Sequence, residues 1–485
     1  MIPTRGAHGG LRLEGHKERS TRTPIGILAA PAEAVLPLDQ HSGIAAHPLV
    51  SVGAQVLKGQ PIAEPRGSIS AWIHSPVSGQ VIAIEERPSA TRDGKPSLSI
   101  VIANDGREEA FASNERVSSF LELSPADLLE HISRAGIVGL GGAAFPTATK
   151  LSTANANAHT LLLNGAECEP YISCDEMLMR ERAADVVLGA RILAHAIGAK
   201  ECVIGIEQDS PAVEAALRAA LAVANDPSLR IVVVPNIYPA GGERQLIAAV
   251  FQQEVPFAGL PSDIGIVCQN VGTAAAVTRW IRDAEPLISR IVTVTGDGVQ
   301  EPRNWEVRIG TPISDLIAAC GGYTPRVHQL LMGGTMMGVA LPEDSLSVVK
   351  ASNCIVAASV LDLQPRAAEM PCIRCGNCSE ACPARLLPQQ IHLNARANDL
   401  DGLERYGLMD CIECGCCDYV CPSQIPLVER FRAAKPKLAA QLTARSNARD
   451  SRLRFEARNQ RLERLQAEQK HKLEEKRRQA RKGSL

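Results

Sequence analysis

The spacing of hydrophobic and polar positions changes several times along the chain. From His47 to Glu64, and again from Ile73 to Glu86, apolar and polar residues alternate at period two, the pattern of half-buried strands. Gly53, Gly59 and Gly79 fall where tight turns would reverse such strands. Residues 1–120 are therefore expected to form a β-rich front domain. At Asp127–Ile137 the period becomes helical. From there to residue 287, short apolar runs (His159–Ala166, Glu201–Glu207, Leu229–Asn236) alternate with longer helical ones (Ala183–Ala199, Ser210–Asp226). Ser210 is the expected N-cap of the latter, with Pro211 at its first position. This alternation predicts an α/β domain over 121–287 with a parallel sheet. Arg290–Gly322 reads as two strands around a Gly296–Asp297–Gly298 turn, then a helix capped by Ser314 or Thr311, a small α+β module spanning 288–350. From 351 to 435 the chain is proline-punctuated and otherwise helical. Residues 436–485 form a polar tail.

Composition narrows the function classes. A chain of 485 residues implies three or four domains. Aromatic residues make up 3%, too few for a nucleic-acid surface built on base stacking. The formal net charge of -2 says little about partners. No apolar run approaches the ~20 residues of a membrane span, and the N-terminus has no apolar signal region. A cytosolic chain able to dock on a membrane complex is expected. Between Thr443 and Leu485 fourteen Lys/Arg face six Asp/Glu, and the few leucines keep no heptad. The tail thus reads as a solvated helix or a disordered segment, with anionic lipid headgroups as the alternative contact.

Fifteen cysteines in such a chain point to metal rather than to disulfides. Cys372, Cys375, Cys378 and Cys382 are spaced C-x2-C-x2-C-x3-C and followed by Pro383. Cys411, Cys414, Cys417 and Cys421 repeat that spacing before Pro422, and Cys416 is the cysteine that does not fit. This is the run of two-cluster ferredoxins, in which each fourth cysteine ligates the other cluster. Cys372, Cys375, Cys378 and Cys421 are therefore assigned to one [4Fe–4S] cluster, and Cys411, Cys414, Cys417 and Cys382 to a second. Zinc is the competing reading of paired C-x2-C motifs, but one zinc is satisfied by four ligands.

A second candidate site is the glycine-rich stretch Ala135–Leu151. Gly136, Gly139, Gly141 and Gly142 allow positive φ and close approach of backbone to a flat or phosphorylated ligand, and Lys150 could neutralise a phosphate. It is not a G-x-G-x-x-G following a strand, so the dinucleotide fingerprint does not apply.

This stretch resembles the flavin loop of the NADH-binding subunit of respiratory complex I, R-G-R-G-G-A-G-F-P-T. Asn164–Pro170, Tyr238–Ile247 and Cys268–Val277 resemble, in the same order, that family's N-A-D-E-S-E-P, Y-x-x-G-E-E-T-x-L-I and N-N-V-E-T. The Arg290–Gly322 module resembles its soluble-ligand-binding β-grasp domain. Two ferredoxin runs and a front domain beginning Gly9–Ser20 make the whole similar to the C subunits of the Rnf/Rsx electron transport complexes, over roughly residues 5–435.

The resemblance implies an electron-transfer subunit that passes electrons between NADH, through FMN, and ferredoxin or integral-membrane subunits, on the cytoplasmic face of the inner membrane. By position it implies that Gly139, Gly141, Gly142, Phe145 and Lys150 form the FMN/NADH loop and that Asn164 holds the flavin. Glu167 and Glu169 would face flavin or nicotinamide ribose. Tyr238, Gly241, Gly242 and Glu243 would close over the site, and Asn270 and Thr273 would hold the phosphate end. Leu140 stands where complex I has an arginine, Ala144 where it has a glycine, and Gly242 and Gly272 where it has glutamates. The front domain resembles biotinyl/lipoyl barrel-sandwich domains, but its hairpin Pro65–Trp72 has no lysine, so a packing module is expected and no swinging arm. Two other readings compete: a flavin-free iron–sulfur adaptor that docks redox partners, and the A subunit of the sodium-pumping NADH:quinone reductase, which is not expected to carry the ferredoxin runs.

Overall fold

The computed structural model describes residues 8–482 apart from 91–95, 113–116, 118, 155–157, 258 and 364–366. In the front domain the period-two segments become strands. An antiparallel sheet runs in the order Glu33–Pro37, Pro96–Asn104, Gly79–Pro88, Gln55–Val56. A smaller sheet is built from His47–Pro48, Pro61–Glu64 and Ile73–His74. Their inward faces bury Leu36, Ile62, Ile73, Val81, Ile100 and Ile102.

The α/β domain holds four parallel strands in the order Leu229–Val234, Glu201–Glu207, Thr160–Gly165, Ile266–Asn270. Each strand is apolar because both faces are covered by helices. Ser210 occupies the expected N-cap position with Pro211 after it, but its hydroxyl makes no cap hydrogen bond. Helices Ala183–Ile197 and Val271–Asp283 cross at Gly189, where a Cβ would lie 2.0 Å from the Ala274 carbonyl oxygen.

The third sheet departs from the sequence reading. Ser289–Thr295 and Arg303–Arg308 pair as expected around the glycine turn. The helix that follows, Ile313–Ala319, has Pro312 at its N-cap, so neither Ser314 nor Thr311 caps it. Cys354–Ala358, expected to begin the helical cysteine region, is a buried strand parallel to Ser289–Thr295. Gln329–Met332 and Val339–Leu341 extend the sheet on that side, and Gly26–Ile27 adds a strand at the other edge.

The cysteine region is helical beyond that strand. The last helix, Leu427–Lys482, packs through Leu427, Phe431 and Leu438 against Ile391 and Leu403. Beyond that contact its side chains are almost all exposed, as the tail's polar composition requires.

The front domain braces the glycine-rich turn. The Ser42 amide donates to the Ala144 carbonyl (3.0 Å) and the Ser42 hydroxyl to that of Ala143 (2.7 Å). Lys350 is fully buried, and its Nζ donates to Trp72 O (2.6 Å) and Gly136 O (2.7 Å), tying the lysine-free hairpin to the turn. Burial pulls Lys350 down to about 7, where the neutral amine still has an N–H for each carbonyl. Burial, and then the nearby Lys350, pull His41 down to about 4 and His74 to about 3.

Stability at this junction is therefore expected to fall with acid. Between pH 6.5 and 4 the unfolded chain binds protons that the folded chain does not, costing about 1.4 kcal/mol per pH unit for each histidine. Calorimetry at pH 7 and pH 5 should show a lower transition at pH 5. Equal transitions would contradict buried, neutral histidines.

Candidate functional site

The two cysteine runs fold alike. Arg374 and Glu413 are left-handed (φ 57° and 58°), as are Gly376 and Gly415 (88° and 81°) and Arg385 and Gln424 (54° and 53°). Each pair keeps the offset of 39 residues that separates Cys372 from Cys411. Gly376 and Gly415 each open a one-turn helix, Asn377–Glu380 and Cys416–Tyr419. The fourth cysteine then closes a turn: Cys382 N donates to Ser379 O (3.3 Å), and Cys421 N to Asp418 O (3.2 Å). Repeated spacing has produced repeated backbone.

The sulfurs gather across the repeat. A small pocket is lined by Cys372, Cys375 and Cys378 from the first run and by Cys421 from the second, beside Gln389 and His392. Cys382 instead neighbours the second run, close enough to Cys411, Cys414 and Cys417 for ionisation of one thiol to oppose that of another. Burial holds Cys378, Cys382 and Cys417 above the ordinary thiol range and pushes Cys411 up to about 11. Such thiols ionise when cations bind them, because metal ligation deprotonates a coordinating thiol. Cys372 and Cys375 are exposed, whereas Cys382, Cys414 and Cys417 are buried. The odd cysteine, Cys416, is wholly buried; its thiol donates to Cys414 and holds that thiol below the usual range.

The second site lies at the carboxyl ends of the parallel strands. The order reverses at Thr160–Gly165, whose neighbours Glu201–Glu207 and Ile266–Asn270 lead away on opposite sides. Such a switch point opens a crevice in which α/β sheets bind ligands. Asn164 and Asn270 stand opposite each other there, in register. Asn270 caps helix Val271–Asp283, its Oδ1 accepting from Gly272 N (2.8 Å) and Thr273 N (3.3 Å). The glycine turn sits on that helix end: Leu140 N donates to Thr273 Oγ1 (3.0 Å), and a Cβ on Gly141 would lie 3.5 Å from Asn270. Asn164 Nδ2 donates to Gly241 O (2.7 Å). Lys150 and Glu243 form an ion pair (2.6 Å). These expected residues therefore share one crevice.

Other expected residues have different partners. Phe145 is half-buried, and its carbonyl accepts from Gly139 N (2.8 Å). Gly242 is the N-cap of helix Glu243–Phe251. Of the four glycines read for positive φ, Gly136 and Gly142 have it and Gly139 and Gly141 do not, while Ala144 does (48°). A left-handed alanine costs about 1–2 kcal/mol. Glu167 accepts from the Asp175 and Glu176 amides (3.0 Å each) at the start of helix Cys174–Glu181. Burial, with Asp175 alongside, holds Glu167 above the usual carboxylate range. Glu169 accepts from Met336 N (2.7 Å) and Met337 N (2.9 Å) in the third sheet's hairpin. Tyr238 is buried, its hydroxyl donating to Cys414 O (2.5 Å).

Two residues of the crevice floor were missed from sequence. Lys17 reaches the Glu167 carbonyl and Glu207 Oε2 (3.2 Å). Burial works against its charge, but Glu207 and then Glu167 outweigh this and raise its pKa. Arg290, buried behind the turn, donates to Leu140 O (3.3 Å). Lys17 lies in the stretch Gly9–Ser20 that marked the family, but nothing local to it names a partner 150 or 190 residues away.

Comparison with known proteins agrees with this layout. Family models match residues 6–107 (RnfC barrel sandwich hybrid domain), 132–279 (Nuo51 FMN-binding domain), 291–340 (SLBB domain) and 371–425 (4Fe-4S dicluster domain). The C subunit of an ion-translocating oxidoreductase complex from Pseudomonas aeruginosa is 49% identical over 94% of this chain and 58% of its own length. The protein of that name from Rhodobacter capsulatus is 44% identical over 89% of this chain and 83% of its own. The chain thus spans about three fifths of the Pseudomonas relative. An NAD+-reducing [NiFe]-hydrogenase chain in the H2-reduced state aligns over 67% of this chain and 64% of that one, at 21% identity and a TM-score of 0.47. On the strength of these relatives and the four matched domains, the chain belongs to the family of ion-translocating oxidoreductase complex C subunits.

Proposed function

We propose that the chain carries electrons within an ion-translocating oxidoreductase complex, between NADH and ferredoxin or membrane subunits, by way of FMN and two [4Fe–4S] clusters. One observation carries the reading: Cys421 lines the cavity of the first cysteine run. Exchange of fourth ligands is the arrangement of two-cluster ferredoxins.

Cys372, Cys375, Cys378 and Cys421 would hold one cluster, and Cys411, Cys414, Cys417 and Cys382 the other. The crevice fits a flavin in its place in the fold: it opens at the switch point between Asn164 and Asn270, beside a turn whose Gly141 and Gly142 carry no side chain. Lys150, Glu243 and Thr273 border it. When bound, FMN accepts two electrons from a nicotinamide and releases them singly to one-electron carriers. The chain's own part is positional. Thr273 and Ser42 fix the glycine turn, Asn270 holds the helix end against it, and Cys382, Cys414 and Cys417 of the second cysteine set are buried from water. No described helix is long and apolar enough to cross a membrane. We place the chain peripherally on the cytoplasmic face of the inner membrane, against integral-membrane subunits.

Anaerobic titration of the FMN- and iron-reconstituted chain with NADH tests this. Bleaching of flavin and cluster absorbance together is expected. Full flavin loading without reduction by NADH would overturn NADH as the donor, and full iron without flavin binding would favour the relay-adaptor reading.

A further inference from the structure

We propose that Tyr238 is the positioning residue of the cluster bound by Cys382, Cys411, Cys414 and Cys417, and that its hydroxyl sets that cluster's reduction potential independently of the other cluster's. The proposal rests on the two-cluster reading above.

Tyr238 is 2% exposed and lies in a small core with Ala381, Cys414 and Cys416, against Leu11 and Met336. Its hydroxyl donates to the carbonyl oxygen of Cys414, 176 residues away in sequence. Glu169, held by the Met336 and Met337 amides, lies beside the same hydroxyl as a second acceptor.

The backbone of Tyr238 is clamped as well. Tyr238 N donates to Leu11 O (2.9 Å), and Leu11 N donates to Tyr238 O (2.8 Å). One residue earlier, Gly10 N donates to Ala381 O (3.0 Å), next to Cys382. Gly9 is packed so tightly that a Cβ there would come 2.7 Å from the Cys382 carbonyl carbon. Tyr238 and the strap Gly9–Leu11 therefore grip both segments that supply this cluster: the second run through the hydroxyl, and Cys382 through Gly10. The other pocket opens on exposed Cys372 and Cys375, and its lining does not include Tyr238 or the strap Gly9–Leu11.

Reduction adds negative charge to a cluster. A hydroxyl donating to the peptide carbonyl of a ligating cysteine draws electron density from that ligand, and losing it is expected to disfavour the reduced form. Phenylalanine keeps the ring packing and removes only the donor.

The test is Tyr238→Phe, with both cluster potentials followed by redox titration and electron paramagnetic resonance. One cluster is expected to become harder to reduce by about tenfold, about 59 mV for a one-electron couple, while the other is unchanged. The shift should persist in a Cys375→Ser background, where only the Cys414 set loads, and vanish in a Cys414→Ser background. Should Tyr238→Phe lose iron instead, loss confined to the Cys414 set supports the clamp, and loss from both sets overturns it. Unchanged potentials with full iron, or a shift in the Cys414→Ser background, also overturn it. Too little iron in the unsubstituted chain for two cubanes would sink the two-cluster reading and this inference together.

Discussion

Cys382→Ser is expected to halve the iron of the chain, from about eight atoms to about four, and to empty the cluster built on the second cysteine run. Serine offers a hydroxyl where the metal needs a thiolate. The crossing of ligands is read by combining substitutions. Cys382→Ser with Cys414→Ser strikes the same cluster twice and should still leave about four irons, whereas Cys382→Ser with Cys375→Ser strikes both and should leave none. If each run instead kept its own fourth cysteine, the two double variants would exchange results. The structural ground is that Cys421 lines the cavity of Cys372, Cys375 and Cys378, while Cys382 sits with Cys411, Cys414 and Cys417.

Lys17→Met is expected to destabilise the α/β domain by about 3 kcal/mol, because it leaves a buried carboxylate without its partner. The Glu207 side chain is only 4% exposed and that of Lys17 17%, so solvent screens the pair little. For a unit of this size the thermal transition should fall by about 6–12 °C. Lys17→Met with Glu207→Leu removes both charges and should recover part of the loss. An unchanged transition in Lys17→Met would show that the N-terminal segment is not tied to the crevice through this pair.

What could be read from sequence was local. The two cysteine runs announce themselves by spacing and by the following prolines, and their backbones repeat residue for residue. The parallel sheet followed from apolar runs alternating with helical ones, because strands buried on both faces must be apolar throughout. Asn164 and Asn270 were named by family likeness, and the strand order puts them side by side.

What could not be read was settled by distant partners. Cys354–Ala358 looks like a short apolar run before a helical region; it is a strand because Ser289–Thr295 and Gln329–Met332 leave a place between them. Tyr238 and Glu169 sit in motifs expected to face a flavin, yet their polar atoms are taken up by Cys414 and by the Met336–Met337 hairpin. Ala144 takes a left-handed backbone that its side chain disfavours. It does so within a turn closed by Gly139 and Phe145 and held by Ser42.

The most direct test is the metal content of the anaerobically purified chain. Two cubanes held by exchanged cysteines predict about eight irons and eight acid-labile sulfides per chain, with no zinc. Zinc in place of iron, or about four irons in a chain with all eight cysteines intact, would contradict it.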